Sequence, residues 1–146
     1  MKFKKAIYAT FLTLLAFVFQ GCGNAAQSQD TAQKLVDEFH RQLSQKKYSE
    51  IYRDSNDTLK NSINKEDFIK FISDAHEKMG SFKEAKLLNV IKKSAFFGKG
   101  RPTIFMTYRS TYSNYLVEEL FIFEEKNSKI EFAGYKYTLF ESDSKS

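Results

Sequence analysis

The chain has 146 residues, 42% of them apolar, with fifteen Phe, eight Tyr, a single Cys and a formal charge of +5. That length suits one domain with an aromatic core, and one cysteine allows neither an internal disulfide nor a thiolate zinc cluster. Lys2, Lys4 and Lys5 carry most of the excess charge; without them twenty basic residues face eighteen acidic ones, a field too weak to point to nucleic acid.

The chain opens with the basic stretch Met1–Lys5, followed by fourteen uncharged, mostly apolar residues, Ala6–Phe19. As a helix these rise about 21 Å, short of the roughly 20 residues a bilayer span needs. A basic start before a short apolar run is the pattern of a secretory signal. Gly21–Cys22 then resembles the cleavage site of bacterial lipoproteins, with Phe19 and Gln20 where that pattern has Leu and a small residue. The resemblance implies a signal peptide over residues 1–21 and a diacylglycerol on the Cys22 thiol, with membrane lipid as the partner. The alternative is an ordinary signal peptide or an uncleaved anchor, with an incidental thiol. Residues 22–29 are expected to be a tether of at most about 27 Å, which keeps the domain close to the membrane of the cell envelope. Gly23 is not the Asp associated with inner-membrane retention, so in a bacterium with two membranes the outer one, facing the periplasm, is implied.

Asp30 is a candidate N-cap with Gln33 three residues on. Leu35, Phe39 and Leu43, with Ala32 and Val36, then give the stripe of an amphipathic helix. His40 falls on its polar side. Tyr48–Ser55 reads as a short second helix. A third starts at an Asn64 cap, carries Phe68, Ile72, Ala75 and Met79 on one face, places His76 on its polar side and stops at Gly80. Four strands follow, over about 83–97, 103–112, 115–124 and 130–140. Their turns are Gly98–Pro102, Ser113–Asn114 and Asn127–Ser128. The reading is an α+β domain over 30–141, three N-terminal helices packed on a four-stranded antiparallel sheet, with a disordered tail over 142–146.

The stretches "KKYSEIYRDS", "NKEDFIKFISDAHEKMGSFKEAKLL", "VEELFIF" and "FAGYKYTL" resemble a bacterial family of exported domains. That family has the cystatin-like, nuclear-transport-factor-two-like α+β cone. The resemblance implies that fold and brings no catalytic residue.

The turns set the strand faces. A Ser113–Asn114 tip places Met106 opposite Phe121 and Arg109 opposite Glu118. Ile104, Met106, Tyr108, Ser110, Tyr112, Tyr115, Val117, Glu119, Phe121 and Phe123 then share the face assigned to the helices. An Asn127–Ser128 tip places Phe132 beside Phe123 and Lys136 beside Glu119. Tyr108, Glu119 and Lys136 would then form a polar anchor inside an apolar pocket, or an ion pair at its rim. The opposite face would carry Phe105, Leu120, Ile122, Tyr135, Tyr137 and Leu139, too apolar for a free surface.

No nucleophile–base set, HExxH helix or Cys/His cluster stands at an interpretable spacing, so no enzyme activity, cofactor or metal is expected. The expected function is a membrane-tethered envelope lipoprotein domain. It would bind another envelope component, or a second copy of itself, through the outer sheet face. The alternative is a pocket protein for a small hydrophobic ligand.

Overall fold

A computed structural model describes residues 23–95 and 100–141. The expected signal peptide, the Cys22 lipidation site, Gly98 and Lys99 of the first strand turn, and the tail at 142–146 lie outside the described residues. The chain divides into a unit ending at Asp30 and a second running from Thr31. In the first, Gly23–Asp30 is helical. The core belongs to the second.

Helix α1 spans Gly23–Ser44. It therefore begins ahead of the Asp30 cap expected from the sequence, and most of the expected tether is helical. Ala25, Ala26 and Gln27 are good helix formers and no Pro or β-branched residue interrupts them, so nothing in the run stops the helix at Asp30. Ala32, Val36, Phe39 and Leu43 are all buried along one side. At about 1.5–3 kcal/mol for each large apolar side chain, that stripe outweighs the helix's modest intrinsic propensity.

Helix α2, Tyr48–Asp54, agrees with the expected second helix. A further short helix, α3, runs over Asp57–Ser62, so among the described residues four helices precede the sheet where three were expected. Its signal was the N-cap Asn56, whose side chain accepts from the Leu59 amide at 3.1 Å. Helix α4, Lys65–Met79, starts at Asn64, which accepts from the Asp67 amide at 2.8 Å, and buries Phe68, Ile72, Ala75 and Met79. It stops at Gly80, where φ is 82°, a conformation that disfavours a side chain. A Cβ there would also lie 2.0 Å from Ser113 Oγ, so a side chain at this position would add a clash with the Ser113–Asn114 turn to the unfavourable backbone.

Strands β1 (Phe82–Lys93), β2 (Thr103–Tyr112), β3 (Tyr115–Lys126) and β4 (Lys129–Glu141) form one antiparallel sheet in the order β1-β2-β3-β4. Met106 pairs with Phe121 and Arg109 with Glu118, the register expected from the Ser113–Asn114 tip. Asn127 and Ser128 both have positive φ, 52° and 61°, as a two-residue turn matched to strand twist requires. Phe123 pairs with Phe132, again as expected.

One step later the expectation fails. The β3–β4 register shifts between Ile122 and Phe123, so Ile122 pairs with Gly134 and Phe121 with Tyr135. Ala133 is the extra residue. A bulge of one residue reverses the facing of everything beyond it. Tyr135, Tyr137 and Leu139, expected outside, therefore belong to the helix-covered face: Tyr135 is buried, and Tyr137 and Leu139 pack against the core. Lys136 goes the other way. It pairs with Leu120 and is exposed.

Candidate functional site

Phe39, Phe121 and Tyr135 form an aromatic centre, with ring centroids 4.8–5.2 Å apart. Glu119 sits beside it on β3 with no exposed surface. An ionised carboxylate in such a place is tolerated only when fully hydrogen-bonded, and this one is. Oε2 accepts from Ser110 and lies 2.8 Å from His40 Nε2; Oε1 accepts from the Tyr112 hydroxyl at 3.0 Å and the Tyr135 hydroxyl at 2.6 Å. Two partners on each oxygen fill the capacity of a carboxylate.

The partners arrive from three elements besides β3. Ser110 and Tyr112 alternate along β2, Tyr135 comes from β4 through the bulge, and His40 comes from α1. His40 stands one turn after Val36, so it shares the buried side of the helix, and its ring stacks on Phe82 at 4.1 Å between centroids. Burial pushes the Glu119 carboxyl up, but the bond and charge of His40 and the bonds from Ser110 and Tyr135 outweigh it. Glu119 therefore lies below its ordinary value of 4.5. The same burial, joined by the Glu119 charge, drives the Tyr112 and Tyr135 hydroxyls far up. A carboxylate with no acceptor site left and no access to solvent is an anchor between elements.

Of the three residues expected to converge, Tyr108 and Glu119 are directly paired across β2 and β3, and Lys136 is absent from the cluster because of the bulge. The expected cluster is corrected in a second way. The α1 side chain facing Glu119 is His40, which the helix pattern had placed in solvent. His76 is likewise buried, with Nδ1 2.9 Å from the Tyr48 hydroxyl. Burial, then the Lys46 charge, lowers its pKa from 6.5. Ser110 and Tyr112 were legible as neighbours of Glu119 on one face. His40 could have been found from Val36 and Phe39, since a stripe wide enough to cover a sheet extends one position beyond a strict heptad seam.

Tyr108 lies next to this network without joining it. Its ring meets Phe121 edge-on, 5.7 Å between centroids. The residue is 3% exposed, and its hydroxyl is the one buried side-chain polar atom among the described residues with no hydrogen-bond partner. Burial, and after it the Asp37 charge, pushes this phenol up to about 12. Tyr108 and His40 line a cleft of about 450 Å³ between α1 and β1, with Asp37, Arg41, Phe82 and Glu84 around them.

Among the described residues, no group of three or more His, Cys, Asp and Glu side chains could hold a metal ion, and no helix is long and apolar enough to cross a membrane. The chain matches no protein-family model and no curated protein.

Proposed function

We propose that this chain is a lipid-anchored domain of the bacterial cell envelope, held to the membrane through acylated Cys22, whose open sheet face pairs with a second copy of itself. On this reading the α+β layers are the cystatin-like, nuclear-transport-factor-two-like cone. The N-terminal pattern supports the anchor. One observation carries the pairing: the cross-strand row Ile91, Phe105, Ile122 and Gly134 on the face away from the helices. Ile91 is 49% exposed, and Leu88 and Phe140, also on β1 and β4, are nearly as open.

The row is self-complementary. A two-fold axis parallel to the strands, between β2 and β3, sets Phe105 of one copy against Ile122 of the other. Ile91 then lies over Gly134, where no side chain stands in the way, and Arg109 faces Glu118. Sheet twist offsets the two copies by about 30°. Such an isologous contact closes as a dimer.

Mass measured against concentration tests the pairing. A reversible dimer is expected, and Phe105→Glu should leave a folded monomer, since Phe105 lies outside the core. A wild-type chain that stays monomeric to about 0.1 mM (a limit near −5.5 kcal/mol), or a variant that still associates, would overturn it.

A further inference from the structure

The α1–β1 cleft brings one buried, unpartnered hydroxyl together with two exposed acids at its mouth. The Tyr108 hydroxyl is buried and unpartnered. The Asp37 and Glu84 carboxylates, exposed at the mouth, have no ion-pair or hydrogen-bond partner among the described residues, and Asp37 is near enough to Tyr108 to act on it electrostatically. Arg41, the cation at the same mouth, is already committed. It donates to Glu38 Oε2 at 2.7 Å and to Gln45 Oε1 at 2.9 Å. The His40 Nε2 is engaged by Glu119. The free charge of the cleft is therefore negative, and its interior is aromatic and aliphatic: Phe82, Ala85, Leu87 and the Tyr108 ring.

We infer that this cleft is a binding site for a small organic cation, a primary amine on an aryl or alkyl body, with its ammonium between Asp37 and the Tyr108 hydroxyl and its body along Phe82 and Leu87. An ammonium brings three donors and no acceptor. It can give one to Asp37 and another to the phenol oxygen, so each of these acceptors gains a donor. The ring faces favour a cation over an anion, and the volume falls in the range of small-ligand sites. A carboxylate or phosphate would meet two uncompensated acids at the mouth. A water molecule could satisfy Tyr108 alone, but would leave the acids unused and select no ligand.

The test is calorimetric titration of the full chain in detergent with phenethylamine, its neutral analogue 2-phenylethanol and the acid 3-phenylpropionate. Saturable binding of the amine is expected, with the alcohol and the acid at least about tenfold weaker, a difference of about 1.4 kcal/mol. Asp37→Asn should weaken the amine about tenfold and Tyr108→Phe severalfold, while Lys70→Ala, on the exposed side of α4, leaves it unchanged. Unfolding midpoints show that each variant is folded. Equal binding of all three probes would mean an apolar cleft without selectivity, and no saturable amine binding at millimolar concentration would mean a hydrated one. Affinity unchanged in both Asp37→Asn and Tyr108→Phe would place any binding elsewhere. Each of these outcomes overturns the inference. None of them touches the Phe105 row, so the dimer stands or falls separately.

Discussion

His40 Nε2 lies 2.8 Å from Glu119 Oε2, and both side chains are shut off from water although 79 residues separate them. Removing one member of such a pair leaves an uncompensated buried charge, which costs more than the pair itself is worth. His40→Leu should therefore destabilise the domain by about 3–5 kcal/mol. Adding Glu119→Gln should recover part of that loss. Urea midpoints of the two singles and the double give the coupling directly. Additive effects would show that the two groups do not sense each other.

Acid should weaken the domain in two stages. His76 is held below its ordinary 6.5, so below about that pH the unfolded chain takes up a proton that the folded chain refuses, and stability falls. Glu119 is held below its ordinary 4.5. Its contribution is complete above about pH 4.5 and lost as pH drops through the lower folded value. Asp54 and Asp57 shift in the same direction, but they are exposed and screened. His76→Gln should abolish the first stage and keep the second. Denaturation midpoints between pH 8 and pH 3 would reveal it, and an identical profile in the variant would exclude His76 as the source.

The two faces of β2 and β3 should differ sharply. Phe121 is wholly buried among Phe39, Tyr108, Phe123 and Tyr135, so Phe121→Ala should cost about 3–5 kcal/mol. Arg109 is exposed on the other face, and Arg109→Ala should stay within about 0.5 kcal/mol. Comparable losses at the two positions would contradict the assigned faces.

Tyr108→Phe should raise stability. The hydroxyl is desolvated without a partner, a state that costs about 1–3 kcal/mol, and Phe fills the same volume without it. A gain of about 1 kcal/mol in the urea midpoint is expected, together with the loss of amine affinity argued above. A destabilised variant would mean that the hydroxyl is already satisfied.

Cys22→Ala should move the protein from the membrane pellet to the soluble fraction, or leave an unprocessed precursor. Cell fractionation with mass measurement of the mature N-terminus decides. Processing and pelleting like wild type would end the lipid-anchor reading.

The strands and the β2–β3 register were legible because their turns are short and their apolar residues alternate. Ser113–Asn114 and Asn127–Ser128 each fix a hairpin, and Met106, Phe121 and Phe123 fall inward as alternation requires. Strict alternation also carried the error. It kept Lys136 beside Glu119 and Tyr135 outside, because an extra residue at Ala133 leaves no mark in a hydrophobic pattern. Gly134 was the available hint: a glycine inside a strand often marks a bulge, and here its missing side chain makes room for Ile122, whose Cδ1 would lie 3.3 Å from an added Cβ. The histidines were missed for another reason. The apolar stripes of α1 and α4 were drawn too narrow, and the wider stripe that covers a sheet takes in His40 one turn after Val36 and His76 one turn after Ile72.

Glu119 also bears on the order in which the domain can be completed. Its four partners come from α1, β2 and β4, so the carboxylate is not satisfied until the last strand has joined the first helix. A chain synthesised only through β3 would have to bury an acid that still lacks the Tyr135 hydroxyl, and the sheet has no reason to close over it. Premature locking during synthesis is thereby discouraged.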